Sequence, residues 1–488
     1  MRRLSPPPAP HQIPAAAAPT SRGATAIVLA VAALASACAT VQPHSAATLP
    51  ALTLPAQWSD SAAATATAAS SNSAALATWW QHFNDPLLSA LVSDALQANT
   101  SVASARAALQ QARAQREVSA AGLSPQLNAS GSAQRSRSAT SANTSTSSLF
   151  KAGLDASWEP DVFGGNHAAV TASDADARTS AAQLAQTQVS IAAEVALAYL
   201  DVRGTQARLG IARDNLASQL ETLQLTRWRA QAGLASTLDT EQAQTSADQT
   251  RATIPPLETT LAQSRHALAV LTGQTPAALD ARLAAVLPLP QPAETLALTL
   301  PADTLRQRPD VQAAEAAVQA AAARIDQAQA ARLPSFALSG SLGLSALSLG
   351  GSTTALAALL GSVSAPLWDG GAGAATVNVR QAQLTQAQEA WRASVLTALQ
   401  DSEDALVALR QDRERVTYLK SASTAANSAA LLARQRYASG LIDFQTVLQT
   451  QRTALSTQDS LASAQASVSA DHVRLYKALG GGWTPTAQ

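Results

Sequence analysis

The sequence contains one cysteine in 488 residues, and aromatic residues make up only 3% of it. A single thiol excludes an intrachain disulfide and a thiolate metal cluster. So few aromatics, beside 47% hydrophobic residues that are largely alanine, argue against a thick globular core and for long, closely packed helices. Neither sign of charge is in excess, with Lys+Arg and Asp+Glu at 33 each. There is no basic surplus to draw nucleic acid and no acidic tail to bind cations. The six histidines, His11, His44, His82, His167, His266 and His472, include no pair at the i, i+4 spacing of a helical metal site. Gly-x-Ser-x-Gly elbows and Gly-rich loops ending in Lys-Ser or Lys-Thr are also missing. The sequence therefore points to no catalytic centre, no metal and no cofactor. After the N-terminal region no stretch approaches ~18 uninterrupted apolar residues, so any membrane crossing falls to strands.

The one cysteine, Cys38, has an informative position. It follows Arg2, Arg3 and Arg22 and an apolar run from Ala24 to Leu34, which suits a signal segment and is too short to span a bilayer. Leu34-Ala-Ser-Ala-Cys38 resembles a bacterial lipobox, with the leucine four rather than three residues ahead of the cysteine. Two readings follow. Either Cys38 is lipidated and becomes the mature N-terminus, or an ordinary signal peptide is cleaved after Ala-Ser-Ala. Both export the chain.

What is present in quantity is repetition. Asn99-Thr-Ser-Val-Ala-Ser-Ala-Arg-Ala-Ala-Leu109 parallels Arg308-Pro-Asp-Val-Gln-Ala-Ala-Glu-Ala-Ala-Val318, and Pro125 to Gly131 parallels Pro334 to Gly340, all at an offset of 209. Further on, Pro160 to Gly165 matches Pro366 to Gly371 at 206, and Arg229 to Leu234 matches Arg436 to Leu441 at 207. Two halves with one element order identify a tandem duplication. Each half reads as helix, two strands, long helix, tight turn and helix. Asp85-Pro86 opens the first helix with a capping side chain and a proline at N1. Residues 166–231 hold no proline, enough for about 100 Å of helix at 1.5 Å per residue. Val195, Val202, Leu209, Leu216 and Leu223 fall seven apart within it, and Val395, Leu399, Leu406, Leu409 and Val416 form the related set. Such spacing makes a coiled-coil seam in an extended bundle.

The strands show a period of two. Phe150, Ala152, Leu154, Ala156 and Trp158 alternate with Lys151, Gly153, Asp155, Ser157 and Glu159. Residues 335–345 repeat the pattern with Phe336, Leu338, Gly340, Leu342 and Leu344 against serines, and 126–136 do so faintly. One apolar and one polar face suit a barrel wall with lipid outside and water inside. The strands are expected at about 126–138, 149–163, 335–347 and 355–368; the outward face of the fourth is not legible. Four strands cannot close a barrel, so the chain must oligomerise. The expected segments are a signal peptide over 1–37, a flexible leader over 38–75, a first repeat over 76–273, a connecting segment over 274–305 and a second repeat over 306–484.

Several motifs carry a family resemblance. Trp79-Trp80-Gln-His-Phe-Asn-Asp-Pro-Leu-Leu88, Ser157-Trp-Glu-Pro-Asp-Val-Phe-Gly164, Arg306-Gln-Arg-Pro-Asp-Val311, Leu399-Gln-Asp-Ser-Glu-Asp-Ala-Leu406 and Tyr476-Lys-Ala-Leu-Gly-Gly-Gly-Trp483 occur in that order. Together they resemble the outer-membrane factor family of TolC-like efflux channels, in its lipoprotein branch, the NodT group serving RND-type systems. The resemblance implies a mainly α fold with a membrane β-barrel portion. Three chains of four strands would make a twelve-stranded barrel continued by a coiled-coil helical barrel. It further implies a homotrimer in outer-membrane lipid that docks a periplasmic adaptor joined to an inner-membrane RND-type pump, passing small molecules such as drugs and catalysing nothing. A type I protein-secretion duct and a structural envelope lipoprotein are the rival readings; the lipoprotein signal and the Trp-Trp motif favour small-molecule efflux.

The same resemblance assigns roles at the tight turns. Gly233-Leu234 and Gly440-Leu441 fall where the family docks its adaptor, although a plain C-cap accounts for the glycines as well. Asp239 and Tyr437 match residues that tie the closed aperture together, by a phenol-to-carboxylate hydrogen bond, and Arg452 matches a third group near the constriction. Thr446 and Gln449 stand where some relatives carry an acidic ring, which removes that cation-binding feature.

Overall fold

A computed structural model of the chain describes residues 49–50, 52, 55, 58, 76–139, 144–292, 305–348 and 350–483. They belong to one compact unit, His44–Gln488. In the first half α1 (Pro86–Ala98) and α2 (Thr100–Ala121) precede strands β1 (Gln126–Ala139) and β2 (Thr144–Trp158), then α3 (Gly165–Gln231) and α4 (Thr237–Leu271). In the second half α5 (Pro309–Ala330), β3 (Ser335–Ala346), β4 (Thr353–Ser364), α6 (Ala372–Ala438) and α7 (Phe444–Ala478) follow. The duplication is metrically close. Both short helices α2 and α5 have 22 residues, both long helices 67, and both return helices 35.

The strands form one antiparallel sheet in the order β1-β2-β3-β4. Three lie within a few residues of expectation, although β4 stops at Ser364, before Pro366, instead of running to 368. The second is displaced, running from Thr144 to Trp158 and not 149–163. Pro160 has no N–H for a ladder, and the Trp158 indole donates to the Leu123 carbonyl at 3.0 Å, which turns the strand end toward α2. The hydroxyl-rich segment Thr144 to Ser148, ahead of the expected strand start, pairs with Arg135 to Ala139.

Register supplies what periodicity could not. Residues directly opposite in an antiparallel pair project to the same side. Phe336, Leu338, Gly340, Leu342 and Leu344 oppose Val363, Gly361, Leu359, Ala357 and Ala355, so those residues of β4 share the apolar face. Trp158, Ala156, Leu154 and Ala152 join it through Leu338, Gly340, Leu342 and Leu344, and Leu127, Ala129, Gly131 and Ala133 through β2. Ser339, Ser341 and Ser345 take Leu360, Ala358 and Thr354 to the other face. There Ser130 bonds Asp155 at 3.1 Å and Ser136 bonds Ser147 at 2.8 Å.

The long helix α3 packs against α2, α4, α5 and α7. At 1.5 Å per residue it is about 100 Å long, while α2 and α4 cover about 33 and 52 Å of it. Of the expected seam, Val195, Val202, Leu209 and Leu223 are buried in it. The largest core cluster gathers Trp79, Trp80 and Phe83 with Tyr199, Leu268 and Tyr476. The Trp79 ring stacks on Tyr476 at 5.2 Å. Beneath it Asp85 caps α1 with one carboxylate oxygen and accepts from the Tyr199 hydroxyl with the other at 2.6 Å. Burial and that bond push the Tyr199 phenol up to about 12. The segment after α4 is no loose connection. Leu279 and Leu283 are buried in the main core, and the Leu283 and Ala285 carbonyls accept from Gln206 and the fully buried Arg203. The leader expected to be flexible is also held at two points. Trp58 packs against Leu406, Leu409 and Leu475, and Leu52 against Leu305 and Val395; an indole that buries itself offsets the ordering of the chain around it.

Each half closes on itself by the same device. Asn99 caps α2 through its carbonyl oxygen and donates its amide to the carbonyl of Leu271, the last residue of α4, at 2.9 Å. Arg308, at the corresponding cap of α5, donates to the carbonyl of Ala478, the last residue of α7, at 2.7 Å. Arg308 is nearly buried and is also held by Asp310 and Asp401. The glycines just beyond, Gly273 and Gly480, have φ of +71° and +75°. A Cβ on Gly273 would lie 2.6 Å from the Ala98 carbonyl oxygen. Gly273→Ala is therefore expected to lose about 2 kcal/mol or more of unfolding free energy, since the left-handed conformation alone costs roughly 1–2 kcal/mol. Gly131→Ala, with nothing within 4 Å, should change little; denaturant midpoints of the detergent-solubilised protein compare the two.

Candidate functional site at the helix tips

The end of the bundle opposite the strands is built from two equivalent turns. Helix α3 ends with Leu234 N–H donating to the Arg229 carbonyl at 2.7 Å and Gly233 N–H to Ala230 at 3.0 Å. Helix α6 ends likewise, with Leu441 to Arg436 at 2.9 Å and Gly440 to Tyr437 at 2.9 Å. With Gly233 at φ +73° and Gly440 at +74°, both are Schellman caps, in which a left-handed glycine lets two terminal carbonyls find donors. The leucines stay outside, Leu234 at 68% and Leu441 at 73% exposure. Trp228 and Leu238 beside them are also exposed, so the first tip carries an apolar surface.

The return helices begin with reciprocal caps. At α4, Ser236 accepts from Asp239 N–H at 3.1 Å while the Asp239 carboxylate accepts from Ser236 N–H at 3.0 Å and from its hydroxyl at 2.8 Å. At α7 the residue types are exchanged. The Asp443 carboxylate accepts from Thr446 N–H at 2.8 Å and from the Thr446 hydroxyl at 2.7 Å. Those two bonds hold the exposed Asp443 carboxyl below its ordinary value. Asp239 and Thr446 are thus repeat equivalents at the third helical position of α4 and α7.

Tyr437 does not reach Asp239, and the expected phenol-to-carboxylate bond is not formed within the chain. Its ring is buried in a cluster with Leu223, Ala243, Ala433, Phe444, Val447 and Leu448, and its hydroxyl is buried without a partner. The carboxylate is spent on its own helix start, the nearest donors being two groups of Ser236, whereas Tyr437 follows the apolar seam inward. What joins the two tips is Arg229. Its guanidinium lies 4.7 Å over the Tyr437 ring and donates to the Tyr437 carbonyl at 2.7 Å and the Ala438 carbonyl at 3.2 Å. Gln445 adds a bond to Gln242 between the return helices at 2.7 Å. Sequence reasoning missed Arg229. Its signal, a cation in the last turn repeated as Arg436, is the ordinary complement of a helix C-terminus.

A family model described as outer membrane efflux protein matches residues 91–274 and 300–481, nearly the whole of both halves. The chain belongs to the outer membrane efflux protein family. The pyoverdine export outer membrane protein OpmQ of Pseudomonas aeruginosa is 32% identical over 90% of this chain and 93% of its own. The toluene efflux pump outer membrane protein TtgC of Pseudomonas putida is 31% identical over 88% and 90%. Among solved structures, the outer-membrane channel OprN matches with a TM-score of 0.79 at 34% identity, covering 84% of this chain and 93% of that one. These agree with the expected fold, a mainly helical chain with a small number of strands in two efflux-protein repeats.

The remaining tip residues of this efflux protein are separated along α7. Gln449 is exposed one turn past Thr446. Arg452 lines a groove of about 630 Å³ between α3, α4 and α7, with Arg208, Asp459 and Pro256. There the Arg208 fork holds the Asp459 carboxylate at 2.7 and 3.1 Å, fastening α3 to α7. Cys38 lies outside the described residues. Because the Tyr437 hydroxyl has no partner, Tyr437→Phe should leave stability within about 0.5 kcal/mol, as deleting a buried unpaired polar group can be neutral or stabilising. Asp239→Ala should cost about 0.5–2 kcal/mol as a lost cap. The double variant should be additive within roughly 0.5 kcal/mol; a larger coupling in denaturant unfolding would restore a direct bond between the two.

Proposed function

We propose that the protein is the outer-membrane duct of a tripartite efflux assembly, a homotrimer through which small molecules leave passively, the pump and not the duct choosing them. The observation that carries this reading is the sheet. It has one apolar face, one polar face and two unpaired outer edges, β1 and β4, and at its base it runs straight into helices long enough to reach far beyond a membrane. In hydrocarbon an unpaired edge leaves backbone groups unsatisfied at several kcal/mol each, and three copies edge to edge give the twelve strands of a closed barrel. Kinship with exporters of toluene and pyoverdine favours small organic molecules over polypeptides.

On this reading Gly233, Leu234, Gly440 and Leu441 form the rim that meets a periplasmic adaptor, itself joined to an inner-membrane RND-type pump. Asp239, Tyr437, Thr446, Gln449 and Arg452 surround the closing aperture, and Arg229 holds the two tips of each subunit together. Cys38 carries the lipid that tethers the chain to the outer membrane.

Purified in detergent, the protein should scatter light as a trimer and conduct in a planar bilayer; a stable monomer would overturn the architecture. Arg229→Ala, which frees the α6 end from α3, should raise the resting conductance of the trimer, and an unchanged conductance would remove Arg229 from the gate. Wild-type protein expressed with labelled palmitate should take up label that Cys38→Ser loses. Label kept by the variant would place the acyl group elsewhere than Cys38, and none on either would mean ordinary signal cleavage.

A further inference from the structure

The outward face of the sheet changes character along its length. From the row of Phe336 and Val363 to that of Ala133, Phe150 and Ala346 it carries no charged or hydroxyl side chain except the edge residue Thr353, paired with Ala346. That is eleven residues of β3, ten steps or about 33 Å along the strand, or about 25 Å of height at the usual barrel tilt, the thickness of a barrel's apolar band. The next two rows toward the strand tips are Arg135 opposite Ser148 and Arg137 opposite Thr146. They are the only charged residues on this face of the four strands, because Lys151 and Asp155, the other charges in the strands, project to the opposite side. No acid occurs in the sequence between Glu117 and Asp155, and neither guanidinium has an acidic partner among the described residues. Both are exposed.

We propose that Arg135 and Arg137, with the Ser148 and Thr146 hydroxyls beside them, form a binding site for the phosphate of lipid headgroups in the leaflet at the strand tips. The inference rests on the outer-membrane reading, which sets the apolar band in hydrocarbon. Given that, the first row beyond the band lies at headgroup depth. A guanidinium there avoids the cost it would meet at the midplane and offers a planar fork matched to two phosphate oxygens. Across the ladder each arginine faces a hydroxyl that can donate to a third oxygen. Spacing by two keeps both arginines on one side of the strand, so a headgroup with one phosphate can engage either and a diphosphorylated one both.

The test is native mass spectrometry of the detergent-solubilised trimer, titrated with phosphatidylglycerol or phosphatidylcholine. Each arginine near an anionic surface is worth about a factor of five, so Arg135→Ser with Arg137→Ser should weaken phosphatidylglycerol binding roughly thirtyfold and weaken phosphatidylcholine binding less, because its choline cation already offsets the charge of the same phosphate. Arg135→Lys with Arg137→Lys should fall between, keeping the charge and losing the fork. Lys151→Ser removes the same charge from the opposite face and should change nothing. Undiminished phosphatidylglycerol binding by the double serine variant, or an equal loss in Lys151→Ser, would overturn the site, as would competition by equimolar inorganic phosphate. The same spectra report assembly: a monomeric wild type sinks the duct as a whole, whereas a trimer indifferent to the two arginines sinks only this site.

Discussion

Each half of the chain closes through the residue at the start of a short helix, whose side chain grips the last carbonyl of the returning one. Asn99 does this to Leu271 and Arg308 to Ala478. The positive-φ glycines at 273 and 480 follow from the closeness of that approach. Once made, the contact sets two shorter helices end to end along one 67-residue helix, so that α2 with α4, and α5 with α7, act as split partners of α3 and α6. A long helix has no core of its own and needs a continuous apolar neighbour. The break between the two partners then falls mid-length, where the Trp79 cluster and the segment carrying Leu279 and Leu283 fill the space. Strands are left at one end and turns at the other.

The sheet obeys a different constraint. Within the chain every strand has a neighbour except at the outer edges of β1 and β4, and its faces are divided so that leucines and alanines lie on one side and serines on the other. Leu149, Ala337, Leu356, Ala358 and Leu360 break the division by lying on the serine side. The apolar face keeps its character from Phe336 to Ala346 and then carries Arg135 and Arg137. Charge is used sparingly here: two arginines on that face, one lysine and one aspartate on the other.

At the tips, the residues proposed to surround the aperture have structural work that accounts for them locally. Asp239 shares a capping box with Ser236 at the first turn of α4, Thr446 donates its N–H and hydroxyl to the Asp443 cap of α7, and the two glycines let the last turns of α3 and α6 find donors. If the proposed gate is made from these helix caps, opening is coupled to helix fraying, because a capping group drawn away toward another partner leaves its own helix end unsatisfied. Arg229 differs, since its bonds cross from one half to the other.

By itself the sequence determined whatever is written in local period and internal repetition. The two halves, the 67-residue helices, the seam through Val195, Val202, Leu209 and Leu223, the existence of four strands and their need for partners all follow from spacings of seven, of two and of about 207 residues, each readable within a short window. Tertiary structure decided what depends on residues far apart. The face of β4 came from its register with β3, the true limits of β2 from pairing with β1, and the burial of Trp58 from the helices it meets. The partners of Tyr437 and Arg229 are fixed where the ends of α3 and α6 meet, some two hundred residues apart in sequence, and nothing in either segment names the other. Hydroxyls and carboxylates such as those of Ser236, Asp239 and Thr446 find their partners within three residues of themselves, which a family resemblance does not foresee.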